Sequence, residues 1–296
     1  MKTEIVCFGE VLWDILPDKE LPGGAPMNVA YHLQKLHHIT AMVTRIGKDE
    51  YGDRLLQLMR GYGLDPAYIQ VDPTVATGKV IATVTPAQEM AYDILFPAAW
   101  DYITTDILWE ALESPHPACI IFGSLSSRNH VSKQALQALL SKVRGLRVLD
   151  VNLRPPHYSS THITWLLEHA DIVKMNEHEL HELCGWYGIE GDMRAMVRQL
   201  RDRFLWRAVL VTLGAKGCLL YEDGEFYQQP GHKVQVVDTI GSGDALLAGY
   251  IHAMLSGSKP GAALRFGNAL GALVAGKSEG CPDYETAEII TMMHQH

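Results

Sequence analysis

The chain lacks most of what would mark a secreted, membrane-bound or nucleic-acid-binding protein. Its five cysteines, Cys7, Cys119, Cys184, Cys218 and Cys281, are scattered, odd in number and never spaced C-x-x-C. That argues against a disulfide framework and for buried, reduced thiols. No apolar run reaches the ~18 residues of a membrane span. The start, Met1-Lys2-Thr3-Glu4, runs straight into a short apolar segment carrying Glu10 and shows no signal-peptide pattern, so a cytoplasmic protein is expected. Positive charge is in deficit. The formal net charge of −9 argues against a general nucleic-acid binder and against docking on an anionic membrane. Internal repeats and low-complexity segments are absent too. What remains is 296 residues with 47% hydrophobic side chains, ample for the core of an α/β domain.

Strand and helix patterns alternate along the chain. Ile5-Val6-Cys7-Phe8-Gly9 reads as a buried parallel strand. The glycine turn Pro22-Gly23-Gly24 feeds a helix with Pro26 near its first position. Gly47-Lys48-Asp49-Glu50-Tyr51-Gly52 opens an amphipathic helix that ends at Gly61-Tyr62-Gly63. From Thr77 to Phe96 the texture changes to a hairpin, turning at Pro86-Ala87-Gln88-Glu89 and pairing with the segment around Val11 to Leu16 as a small second sheet. Helix Thr105 to Leu112, strand Ala118 to Phe122, helix Val131 to Val143 and strands Arg147 to Val151, Asp171 to Lys174 and Ala208 to Leu213 follow. They imply a parallel sheet covered on both faces. A last hairpin turns at Asp223-Gly224.

The stretch Val237-Asp238-Thr239-Ile240-Gly241-Ser242-Gly243-Asp244-Ala245 carries the chemistry. The apolar run Lys233 to Val237 reads as a strand and Ala245 to Leu255 as a helix, so three small residues stand at a strand-to-helix turn. Such a turn leaves backbone N–H groups unpaired; without bulky side chains they converge on one anion, and the helix dipole adds positive charge there. A carboxylate in a first helical turn is ordinarily a cap. Beside an anion cradle, Asp244 can instead take a proton from a hydroxyl that attacks the anion. That is the layout a kinase of small alcohols needs. Asp14, a lone carboxylate in an apolar segment, is costly to desolvate unless something binds it.

Asp238-Thr239-x-Gly241-Ser242-Gly243-Asp244, followed by Ala248-Gly249-Tyr250-Ile251, resembles the C-terminal signature of the PfkB/ribokinase family of carbohydrate and nucleoside kinases. Gly23-Gly24-Ala25-Pro26-x-Asn28-x-Ala30 resembles its N-terminal signature. The resemblance implies a single domain over residues 1–296, a ribokinase-like three-layer α/β/α sandwich with a mainly parallel central sheet and a small β-sheet lid at about 10–22 and 76–100. It implies that Gly241, Ser242 and Gly243 form an anion hole for the transferring phosphoryl group, that Asp244 is the catalytic base, and that Asp14, Gly24 and Asn28 hold sugar hydroxyls. Asp150-x-Asn152-x-Arg154, on its own a loop with a surface ion pair, is similar to the family's Asp-Pro-Asn-x-Arg stretch, which implies that Arg154 binds sugar or phosphate. Asn176-x-x-Glu179 is similar to the motif that organises Mg2+ and phosphates, Glu179 through water. Thr212-Leu213-Gly214-x-x-Gly217 suits a backbone approached closely by a nucleotide, and by resemblance Asn268 flanks the adenine of ATP. Asp238 and the carbonyl of Ile240 are implied ligands of a monovalent cation, K+. Lids of the family often mediate homodimers. Tyr92, Phe96 and Trp100 either stack on a sugar face or form lid core. Within the family, Gly9-Glu10-Val11-Leu12-x-Asp14 and Phe122-Gly123-Ser124-Leu125 look most like fructokinases; kinases of 2-keto-3-deoxygluconate, ribose or nucleosides are the alternative. One departure concerns His37, where the family usually has Gly or Ser: the helix ends there another way, or His37 bears strain.

Three competing readings come from other classes. Glu177, His178, Glu179, His181 and Glu182 look like a metal cluster, but the His-Glu-x-x-His spacing is absent and a polar helix face explains them equally well. Gly271 to Ser278 satisfies the P-loop pattern letter for letter, with Lys277 in place. A P-loop joins a strand to a helix, whereas this match closes a helical pattern, Ala262 to Val274, and reads as a helix C-terminus. A P-loop NTPase would depend on Lys277. A silent sugar-binding protein would bind sugar without forming ADP.

Overall fold

The computed structural model describes residues 4–84, 90–105 and 116–295. The expected turn at 86–89 and nearly all of the expected helix at 105–112 lie outside the described residues. The chain divides into two compact units, one of residues 1–117 with 126–143, the other of residues 118–125 with 144–296.

In the first unit, β1 (Ile5–Phe8) is buried along its whole length, as an apolar run without alternation requires. It pairs in parallel with β4 (Thr40–Gly47), which pairs in parallel with β5 (Ile69–Asp72). A separate four-stranded sheet has the order β3 (Glu20–Gly23), β2 (Leu12–Ile15), β6 (Gly78–Val84), β7 (Met90–Ile94). Strands β2 and β6 run parallel and the two flanking pairs are antiparallel, so the hairpin and its partner fall as the sequence pattern indicates. Helices α1 (Ala25–Lys35), α2 (Glu50–Gly61) and α3 (His130–Lys142) belong to the same unit. Just past the C-cap of α1, Leu36, His37 is held in the left-handed region at φ 68° while its N–H donates to the Gln34 carbonyl and that of His38 to Leu33. The histidine therefore bears the conformation a glycine would adopt without cost. At the start of α2, Asp49 caps Gly52 N–H at 2.8 Å and also accepts Thr77 N–H at 2.8 Å and the Thr77 hydroxyl at 2.7 Å. Burial pushes the Asp49 carboxyl up, but these hydrogen bonds win and hold it below the usual carboxylate range.

The second unit is a sheet in the order β13-β12-β11-β10-β9-β8. Its strands β8 (Cys119–Gly123), β9 (Leu146–Asp150), β10 (Ile172–Asn176) and β11 (Ala208–Thr212) are parallel. The antiparallel hairpin β12 (Cys218–Glu222) and β13 (Glu225–Gln229) closes that edge, with Asp223 and Gly224 both at positive φ in its turn. The helices are α4 (Ser160–Glu168), α5 (Glu177–Tyr187), α6 (Met193–Phe204), α7 (Ser242–Leu255), α8 (Pro260–Ala275) and α9 (Thr286–His294). One expectation fails: residues 233–237 form no strand. Val237 N–H donates at 2.9 Å to the Ala275 carbonyl at the end of α8, and Val236 and Val237 stay largely exposed. The open carbonyls of a helix end take these donors before a sheet can. Among the described residues, no helix is long and apolar enough to cross a membrane.

The aromatic alternatives resolve in part. Trp100 is fully buried in the core of the first unit, whereas Tyr92 and Phe96 are exposed. Beside Trp100 lies Asp101, also fully buried, which accepts Arg128 Nε at 2.8 Å and Nη2 at 2.9 Å, with the guanidinium 4.1 Å over the Trp100 ring. Removing one partner of such a pair leaves an uncompensated buried charge. Arg128→Met is expected to destabilise the fold by about 3–5 kcal/mol, read as a lowered midpoint in urea denaturation, while Arg128→Met with Asp101→Asn recovers much of that loss.

Candidate active site

In the first unit, the sugar-binding candidates are brought together by the β2–β3 pairing and the start of α1. Asp14 sits on β2 opposite Leu21, and its carboxylate faces Gly23: a Cβ built there would lie 2.7 Å from Asp14 Oδ2. Gly24 is the N-cap of α1 at φ 119°, and a side chain at this position would run into the Glu10 carbonyl. Asn28 lies one turn into the helix, its N–H donating to the Gly24 carbonyl at 2.9 Å, and is almost fully buried. No side-chain cap closes the start of α1.

The remaining candidates lie in the second unit, along the C-terminal ends of its parallel strands. Asn176 ends β10 and caps α5 in a reciprocal box: its side chain accepts Glu179 N–H at 2.9 Å, while Glu179 Oε2 accepts Asn176 N–H at 2.8 Å. Glu179 Oε1 accepts Leu153 N–H at 2.9 Å. Each carboxylate oxygen of this buried residue thus already accepts a backbone amide, leaving its second lone pairs for a water shell. Burial raises the Glu179 carboxyl above the usual range, against the opposing pull of the Lys174 charge. Asn176 is in register with Thr212, and Thr212 with Cys218, whose Sγ lies 3.5 Å from Asn268 Oδ1. Asn268 Nδ2 donates to the Pro230 carbonyl at 2.9 Å. Gly214 and Gly217 flank a 3-10 turn. Four of the nucleotide candidates, Asn176, Thr212, Gly217 and Asn268, therefore share one edge. Arg154 is exposed, with Nη1 3.3 Å from its neighbour's carbonyl, Leu153 O.

Helix α7 begins at Ser242, with Gly241 as N-cap at φ 75°, where a Cβ would lie 2.6 Å from Gly280 Cα. No side chain caps this end. The Ser242 amide donates to the Thr239 carbonyl at 3.3 Å, and its hydroxyl to the same oxygen at 2.9 Å. The amides of Gly241 and Gly243 have no backbone acceptor among the described residues. Of the three amides expected to be open, that of Ser242 is therefore engaged, and Asp244 stands in the first turn beside the other two. Asp238 Oδ1 accepts Ile240 N–H at 2.9 Å, folding the segment so that Ile240 remains exposed.

Sequence reasoning missed one residue altogether. Lys174 on β10 is buried, and its Nζ donates to both oxygens of Asp150, directly across on β9, at 2.9 Å each. The expected surface ion pair around Asp150 is instead a buried cross-strand one. Burial lowers the Lys174 pKa, but the charges of Asp150, Asp244 and Glu179 outweigh it and raise it above the ordinary value. Asp150 is the carboxylate in hydrogen-bond contact with the ammonium; Asp244 and Glu179 act on it through their charge. A lysine inside Ile172-Val173-Lys174-Met175 was the available signal, since a strand buried on both faces carries no charge without cause.

Among the described residues no group of three or more His, Cys, Asp or Glu is placed to hold a metal ion, and His178 points into solvent. The P-loop match ends α8: Lys277 follows the helix and donates to Asp283 O at 2.6 Å and Glu288 Oε1 at 3.3 Å.

Comparison with known proteins supplies the context. Residues 2–287 match the description of the pfkB family carbohydrate kinases. A fructokinase-1 of Zea mays is 31% identical over 98% of this chain and 98% of its own. Among solved structures, a fructokinase from Xylella fastidiosa with bound ATP superposes with TM-score 0.88 at 23% identity, covering 99% of this chain and 98% of that one. An aminoimidazole riboside kinase from Salmonella enterica, complexed with its riboside and an ATP analog, gives 0.81 at 23% identity over 98% and 99%. The fold is the ribokinase-like α/β fold. Lys277→Ala is expected to leave kcat and KM for phosphoryl transfer within about twofold and to cost under ~1 kcal/mol in stability, measured by steady-state kinetics and thermal unfolding. A P-loop would lose nucleotide turnover entirely.

Proposed function

Because the chain belongs to the pfkB family of carbohydrate kinases, and is a sugar kinase on that ground, we propose that it transfers the γ-phosphoryl group of ATP to the primary hydroxyl of D-fructose. The products are fructose 6-phosphate and ADP. The observation that carries the reading is the uncapped start of α7, where a carboxylate stands beside two amides without a backbone acceptor.

In this reading Asp14, Gly24 and Asn28 hold the sugar hydroxyls. Asp244 accepts the proton of the attacking hydroxyl as its oxygen bonds the γ-phosphorus and the bond to the β–γ bridging oxygen breaks. The amides of Gly241 and Gly243 face the charge that develops on the phosphoryl oxygens. Asn176, Thr212, Gly214, Gly217 and Asn268 line the nucleotide, and Arg154 reaches sugar or phosphate. Glu179 is buried with each oxygen already accepting a backbone amide, and the second lone pairs that remain suit the water shell of a divalent cation. When bound, Mg2+ held through water by Glu179 neutralises phosphate charge. Asp238 and the Ile240 carbonyl offer oxygen donors for K+. Exposed Tyr92, Leu95 and Phe96 at the end of the small sheet support association of two copies there.

Fructose is favoured by the fructokinase-like stretches at Gly9–Asp14 and Phe122–Leu125 and by the maize relative; the riboside kinase likeness keeps pentosides in the comparison. A coupled ADP assay across fructose, ribose, 2-keto-3-deoxygluconate and a nucleoside is expected to give the highest kcat/KM with fructose. Turnover on another sugar with none on fructose rejects the substrate. Asp244→Asn is expected to lower kcat by ~10²- to 10⁴-fold, and near-full turnover rejects the mechanism.

A further inference from the structure

Strand β10 contains an anomaly that the proposed reaction does not use. Lys174 interrupts a run of apolar strand residues with an ammonium whose side chain is only 9% exposed. Asp150 engages two of its three N–H groups, each at 2.9 Å. A purely structural pair would need nothing more, yet the ammonium abuts the anion cradle. A Cβ built on Gly243 would lie 3.2 Å from Lys174 Nζ. The other charged groups that reach it are Glu179 from α5 and Asp244 from α7. The cradle itself is short of a donor, because the Ser242 amide is taken by Thr239.

We propose that Lys174 is a positioning residue for phosphoryl transfer: its ammonium, anchored by Asp150 beneath Gly243, holds the Gly243–Asp244 turn against the strand and supplies the fixed positive charge that the engaged Ser242 amide does not. The proposal rests on the phosphoryl-transfer role of that turn. A buried charge needs no reorganisation as the transition state forms and is little screened by water. The compact ammonium of lysine fits under a bare glycine, where the broad guanidinium of arginine would not. The same closeness gives residue 243 a second reason to lack a side chain: a Cβ there would press on the lysine.

The test is steady-state kinetics of K174A and the double variant D150N/K174M, with ATP and the sugar ranked first by the substrate panel, beside D244N. Removing Lys174 alone strands a buried carboxylate and endangers folding, whereas the double variant removes both charges and keeps most of the volume. Expected for D150N/K174M is a kcat lowered ~100-fold or more, with KM for sugar and ATP within about threefold and a cooperative thermal transition retained. Added ethylammonium is expected to raise kcat of K174A by ~10-fold or more by refilling the missing charge. A structural pair alone would change melting and leave kcat in place. A double variant with kcat within about threefold of the parent overturns the proposal, as does a folded K174A whose lost turnover ethylammonium does not restore. D244N separates the two layers. If D244N is inactive and the double variant is not, only the role of Lys174 falls; if D244N is fully active, the reading of the whole turn falls.

Discussion

The contact on which the second unit depends is the ion pair between Asp150 and Lys174. Two charges withdrawn from water are each expensive, and they are tolerated only when the geometry is tight and the lone pairs are used. Here one ammonium meets both oxygens of the carboxylate across adjacent parallel strands. Because successive side chains on a strand alternate between faces, a slip of one residue between β9 and β10 would separate the charges and bury each alone. The pair therefore fixes the register of the sheet at the point where its C-terminal ends carry the polar residues of the site.

That register has consequences along the edge. It aligns Asn176 with Thr212 and Thr212 with Cys218, so short polar side chains gather where the apolar interior of the strands stops. Two of this unit's helices, α5 and α7, begin with opposite solutions to the same problem. Helix α5 satisfies its own first-turn amides through the Asn176–Glu179 box. Helix α7 starts on a glycine with no side-chain cap. A capped end is electrically quiet. An uncapped one keeps donors and a partial positive charge for an external anion, which is why the chemistry is assigned to α7 although both helices carry an acid in the first turn.

Much of this was legible in the sequence, and the rest was not for identifiable reasons. The small sheet showed itself through alternation at Val80, Ala82 and Val84, and the turn at Gly241–Asp244 through its composition. Local patterns failed where tertiary partners decide. The run 233–237 has strand composition, yet its amides found the end of α8. Strands β4 and β5 and helices α4, α6 and α9 carry no motif, so no local signal in the sequence marks them. Glu179 was expected to organise magnesium; that both its oxygens accept main-chain amides depends on Leu153, 26 residues away. Asp150 and Lys174 are separated by 24 residues, so each looks like an isolated oddity until the strands are paired. His37 was the reverse case. The missing glycine was visible in the sequence, and the structure shows that the histidine takes the positive φ itself.

The charge balance of this edge follows from the same arrangement. An acidic chain of net charge −9 that handles a polyphosphate would repel it unless positive charge stands where the phosphates arrive. Asp150 is hydrogen-bonded to Lys174 and the charges of Asp244 and Glu179 act on the same ammonium, so the fixed positive charge of this edge stands among carboxylates. Two kinds of positive charge can meet such a need. On the proposed reading a hydrated divalent ion would arrive with the nucleotide and leave with it, whereas a buried lysine remains and cannot be displaced by salt. The fixed charge is therefore suited to hold the turn and its carboxylate in one geometry, and the exchangeable one to neutralise the substrate. Had the strand carried leucine at position 174, Asp150 would be buried without a partner and the cradle would rest on two amides and a helix dipole alone.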